Sequence, residues 1–93
     1  MKPTILVIDD DPNALFGLSQ LLLDEGYGVI SANNGREALE VLKNSSIDAV
    51  VTDEKMPDLT GMELLSRVQQ GESKPPVILI PASGSVSLAV EAL

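Results

Sequence analysis

Short β-branched runs alternate with apolar patterns of helical period along the chain. The order reads βαβαβαβα, which is the signature of βα units wound around a parallel sheet. The strand runs are Thr4–Ile8, a weaker Tyr27–Ala32 interrupted by Gly28, Ile47–Asp53, and Val77–Ile80, led in by Pro75-Pro76 and halted by Pro81. After the first run Asp11 suits a helix N-cap and Pro12 the first helical position. Leu15, Leu18, Leu21 and Leu22 follow at helical spacing, and Gly26 ends the helix. Asn34-Gly35-Arg36-Glu37 has the form of a capping box before Ala38, Leu39, Val41 and Leu42. Gly61, Leu64, Leu65 and Val68 share one face of a third helix, which a polar linker at Gly71-Glu72-Ser73-Lys74 closes. From Gly84, Val86, Val90 and Leu93 are again at helical spacing.

A chain of 93 residues supports one domain, taken as residues 1–93, able to bury only about two thirds of its unfolded surface. With 44% hydrophobic residues but one Tyr, one Phe and no Trp, its core must be Leu, Val, Ile and Ala, and aromatic base-stacking platforms are excluded. A net charge of −8 argues against direct nucleic-acid binding, which needs Lys and Arg to neutralise phosphates. The absence of Cys and His removes disulfides, thiolate sites and the commonest general base, so any chemistry falls to carboxylates, hydroxyls and Lys. No apolar stretch approaches the roughly 20 residues that span a bilayer, so the expectation is a soluble, cytoplasmic protein with no membrane partner.

Acids stand where two of the strands end. Asp9-Asp10-Asp11 closes the first run and Asp53 closes the third. In an open parallel sheet, ligands bind in the crevice outside the carboxyl ends of the strands, where these acids would converge. Converging carboxylates repel unless a cation sits among them, and oxygen ligands favour a hard one, Mg²⁺ first. Asp11 reads as a cap only; Asp9, Asp10 and Asp53 read as a site.

The residues Asp9-Asp10, Asp53, and the exit Asp53-x-x-Met56-Pro57-x-x-x-Gly61 resemble the receiver domain of two-component response regulators, in order and with matching spacing. That resemblance implies a flavodoxin-like, doubly wound parallel α/β sheet with strand order 2-1-3-4. The family's fifth strand, with its Lys-Pro pair, and its fifth helix have no counterpart in these residues. It further implies a non-enzymatic signalling module in which Asp53 accepts a phosphoryl group from the histidine of a partner sensor kinase. Mg²⁺ would be held by Asp10, Asp53 and the backbone carbonyl of Lys55, with Asp9 acting mainly through bound water. Met56 and Pro57 would shape the loop presenting the Lys55 carbonyl, with Gly61 closing the motif. Pro76-Val77-Ile78-Leu79 and Gly84-x-Val86-x-x-Ala89-Val90-Glu91-Ala92 resemble receivers attached to enhancer-binding transcription activators, implying transcription regulation through a separate output domain.

The chain also departs from the family pattern. The hydroxyl residue expected at the end of the fourth strand is Pro81, which offers neither O–H nor N–H, and Ser83 lies two residues on. With the family's last strand and helix absent, the fourth strand is expected to be an edge and the chain to self-associate through it and the terminal helix. A degenerate receiver serving as a phosphorylation-independent dimerisation or docking module is therefore the alternative reading. Two further patterns match in part. Asp9-x-Asp11 resembles haloacid dehalogenase-like phosphatases, which expect Thr or Val where Asn13 stands. Asp9, Asp11 and Asn13 take the first, third and fifth places of a calcium loop that fails at Ala14 and Gln20.

Overall fold

In the computed structural model, which describes residues 2–80, four strands and three helices alternate. They are β1 (Thr4–Ile8), α1 (Pro12–Asp24), β2 (Gly28–Ala32), α2 (Gly35–Asn44), β3 (Ala49–Asp53), α3 (Gly61–Gln69) and β4 (Val77–Ile80). All strand pairs are parallel and the order is β2-β1-β3-β4, the flavodoxin-like arrangement expected from the sequence. The residues from 81 onward, including Pro81, Ser83 and the helical pattern from Gly84, lie outside the described residues; of the association surface expected from the sequence only β4 is described, and among the described residues it stands at one end of the sheet order.

Alternation along the strands divides the core in two. Leu6, Ile8, Ala32 and Val50 face one side and pack with Ala38 of α2 and Leu64 and Val68 of α3. Ile5, Val7, Ala49 and Val51 face the other and receive Leu18 and Leu22 of α1. Both faces of β1 and β3 are thus covered. This explains why their sequences are continuous apolar runs rather than alternating ones.

Each helix starts on a side-chain cap. Asp11 accepts from the Asn13 amide at 3.0 Å, Asn34 from the Glu37 amide at 2.8 Å, and Thr60 from the Glu63 amide at 3.1 Å. The chain leaves α1 through Gly26, whose φ of 94° suits only glycine.

Two expectations shift in detail. Leu21 is 42% exposed. At about 100° per residue, Leu15, Leu18 and Leu22 cluster on one side of α1, while Leu21 lies roughly 90° off the centre of that stripe. β3 begins at Ala49 rather than Ile47; Asp48 links its start to β1 twice, its N–H donating to the Thr4 carbonyl at 2.9 Å and its carboxylate accepting from the Thr4 amide at 2.7 Å. Among the described residues no helix is long and apolar enough to cross a membrane.

Candidate functional site

Register brings the acids together. β1 and β3 pair with Ile8 opposite Thr52, so the next residues along each strand, Asp9 and Asp53, emerge side by side at the carboxyl edge. Adjacent strands lie only about 4.8 Å apart. A ligating oxygen from each of Asp9, Asp10 and Asp53 falls within 4.8 Å of the others. Asp9 and Asp53 are half-buried and Asp10 is exposed, so the cluster opens to solvent on one side.

Asp9 is held in place by two backbone links. Its amide donates to the Ala32 carbonyl at 3.2 Å, extending the β1–β2 ladder by one residue, and its Oδ1 accepts from the Asp11 amide at 2.9 Å. Burial pushes the Asp9 pKa above the usual carboxylate range. The Asp11 N–H opposes that shift, while the charges of Asp53, Asp10 and Asp11 add to it. An oxygen-only donor set of clustered carboxylates, one of them reluctant to carry its charge unaided, fits a small hard cation such as Mg²⁺.

Beneath the cluster the floor is buried. Thr52 is fully buried, its hydroxyl donating to the Asp53 carbonyl at 3.1 Å. The loop from Glu54 to Thr60 returns on itself where the Gly61 amide donates to the Glu54 carbonyl at 3.0 Å. Gly61 is required there by space. A Cβ would stand 2.9 Å from the Asp53 carbonyl oxygen and 2.5 Å from Leu79 Cδ2. Within the loop Met56 is buried in the α2–α3 core, Pro57 is exposed, and Lys55 is exposed two residues beyond Asp53.

Asp58 escaped the sequence reading. Its two carboxylate oxygens accept from the Gly35 and Arg36 amides, each at 3.0 Å, at the start of α2. These two N–H groups hold its pKa below the ordinary aspartate value. Leu59 then lies so close to Gly35 that a Cβ there would come within 2.5 Å of it. The local sequence signals only an acid in a loop, because its partners are distant in the chain.

A doubly wound parallel α/β sheet with a carboxylate cluster at its carboxyl edge defines a flavodoxin-like domain with an acidic site. The chain belongs to the response regulator receiver domain family, whose model matches residues 5–93. It is 40% identical over 92 residues to the transcriptional regulatory protein GlrR of Escherichia coli K12, an alignment covering 98% of this chain and 21% of that protein. It is 39% identical to the transcriptional regulatory protein FixJ of Bradyrhizobium diazoefficiens, with 99% of this chain and 45% of the relative covered. The chain therefore spans about a fifth to under a half of the length of these relatives. Among solved structures, a response regulator receiver domain from Clostridium thermocellum superposes with a TM-score of 0.82 at 35% identity, covering 97% of this chain and 73% of that one. The chemotaxis response regulator CheY4 of Vibrio cholerae, at 22% identity, shares the fold with a TM-score of 0.84 and coverage of 99% and 96%.

Proposed function

We propose that this receiver domain accepts a phosphoryl group on Asp53 in two-component signalling. The observation that carries this reading is the meeting of Asp9, Asp10 and Asp53 within 4.8 Å at the carboxyl edge of the sheet. Asp10, Asp53 and the backbone carbonyl of Lys55 would hold Mg²⁺, with Asp9 reaching it through water. When bound, the ion supplies neutralisation of the charge on the equatorial phosphoryl oxygens.

Asp53 does the chemistry. One of its carboxylate oxygens bonds to phosphorus as the P–N bond of a phosphohistidine breaks. The electron pair departs with the imidazole nitrogen, which takes up a proton, leaving an acyl phosphate on Asp53. Thr52, bonded to the Asp53 carbonyl, fixes the backbone from which that carboxylate projects. Asp11 orients Asp9 through its N–H, and the buried Met56 with Gly61 shapes the loop that carries Lys55.

The donor that membership of the receiver family supports is a sensor histidine kinase, whose own histidine would carry the phosphoryl group to this histidine-free chain. The similarity to proteins named as transcriptional regulators supports transcription regulation through a separate output domain, in the cytoplasm. The net charge of −8 supports leaving nucleic-acid contact to that other domain.

Incubation with acetyl phosphate and Mg²⁺ followed by intact mass measurement tests the reading. The expected result is one added phosphoryl group, lost on omitting Mg²⁺ and in Asp53→Asn. A wild-type mass that stays unmodified would overturn it in favour of a phosphorylation-independent docking module.

A further inference from the structure

We propose that Asp58 is a positioning residue for the metal site, tying the loop that follows Asp53 to the start of α2 so that the two respond together. The inference rests on the reading of Asp10, Asp53 and the Lys55 carbonyl as the Mg²⁺ ligands.

The geometry forms a closed circuit. Asp9 is bonded to Ala32 at the end of β2, and from Ala32 the chain runs directly into α2. At the first turn of α2 the Gly35 and Arg36 amides, which have no partner within their own helix, donate to the two Asp58 oxygens at 3.0 Å each. From Asp58 the chain leads back past Lys55 to Asp53, which lies beside Asp9. Leu59, seated against Gly35 where no Cβ fits, presses the same two segments together. The loop is pinned at its base by the Gly61 to Glu54 hydrogen bond and along its length by buried Met56 and Leu59, and Asp58 adds the polar tie to α2.

With four anchors on so short a segment, the Lys55 carbonyl has little independent freedom. Groups that orient a ligand from behind typically change metal affinity about 10- to 100-fold when removed. Coupling of this kind is reciprocal. If Asp58 helps to place the ligand, metal binding must in turn be felt at the Gly35 and Arg36 amides.

Asn34 supplies the control. It caps the same helix through the Glu37 amide at 2.8 Å, and no hydrogen bond among the described residues links its side chain to the loop. Removing it weakens the helix start without releasing Asp58.

The experiment is a Mg²⁺ titration followed by amide resonances, on the wild-type chain and on Asp58→Ala, Asp58→Asn and Asn34→Ala. The wild type is expected to show Gly35 and Arg36 shifting in step with metal occupancy. Asp58→Ala is expected to bind Mg²⁺ about 10-fold more weakly with those shifts lost. Asp58→Asn, which keeps one acceptor oxygen, should fall between, and it serves in place of the alanine variant if that one does not fold. Asn34→Ala should bind as the wild type does. Unchanged Mg²⁺ affinity in both Asp58 variants, or an equal loss in Asn34→Ala, overturns the role of Asp58 while leaving the metal site standing. A wild-type chain that takes up no Mg²⁺ overturns both.

Discussion

Replacing Asp53 by Asn should make the metal-free domain more stable, because Asp53 meets Asp9 and Asp10 only in the folded chain. Asp9 and Asp10 are neighbours in sequence and repel each other folded or unfolded, so their mutual cost largely cancels. Asp53 arrives from another strand, and its repulsion counts against folding. At the 4.8 Å limit of the cluster, a pair of unit charges interacts by about 0.9 kcal/mol in water and about 3.5 kcal/mol at an effective dielectric of about 20. Asp10 is exposed and Asp9 half-buried, so the net gain from removing the Asp53 charge should be about 1–3 kcal/mol. For a domain of this size, about 1 kcal/mol moves the melting temperature by roughly 4–8 °C.

The assay is thermal and urea unfolding at pH 7 in EDTA and again in excess Mg²⁺. In EDTA the variant should melt above the wild type. With Mg²⁺ at about 100 times its dissociation constant the wild type should gain about 2.7 kcal/mol, and the variant much less, so the order reverses or closes. The pH dependence has a defined sign. Asp9 has a raised pKa in the fold, so its protonated form is favoured there, and stability is lost as the pH rises through that value. In EDTA the advantage of Asp53→Asn should therefore shrink as the pH falls from neutral. An Asp53→Asn chain that melts at or below the wild type in EDTA would refute the electrostatic reasoning.

Asp58→Asn should destabilise the domain at neutral pH. Because the folded-state pKa of Asp58 is depressed, its contribution is present above the ordinary aspartate value of about 3.9 and is lost as the pH falls through the lower folded value. Urea midpoints of variant and wild type should converge only below about pH 4; a gap that closes already at pH 6 would contradict this. Gly61→Ala should cost about 1–3 kcal/mol, since Leu79 can rotate away but the Asp53 carbonyl 2.9 Å from the new Cβ is backbone, and chemical denaturation measures it. Leu64→Ala, at a fully buried site between α3 and the sheet, should cost about 2–5 kcal/mol in the same assay. Leu21→Ala, on the exposed side of α1, should fall within about 0.5 kcal/mol of the wild type.

The chain reveals its own elements because their causes are local. Apolar runs rich in β-branched residues form the strands, Asp11-Pro12 and Asn34 start helices where capping chemistry requires, and the spacing of Leu18 and Leu22 or Leu64 and Val68 marks the buried stripes. The acids of the site were legible too, since Asp9, Asp10 and Asp53 follow strands and a parallel sheet sends its strand ends to one edge.

What depended on tertiary structure were the pairings between distant segments. That Asp9 stands beside Asp53 follows from the register Ile8 opposite Thr52, which both buried faces of the sheet fix and no single strand encodes. Asp48 adds a side-chain tie to its backbone pairing with β1 because the Thr4 amide lies within reach of its carboxylate. Asp58 reads as an ordinary loop acid until packing of Leu59 on Gly35 delivers it to the free amides of α2. Sequence by itself determined which groups are acidic, apolar or able to cap, because these are properties of residues and their near neighbours. Only the folded sheet decided which of them meet, because hydrogen bonds and charge repulsion act over a few ångströms in space, however far apart the residues lie along the chain.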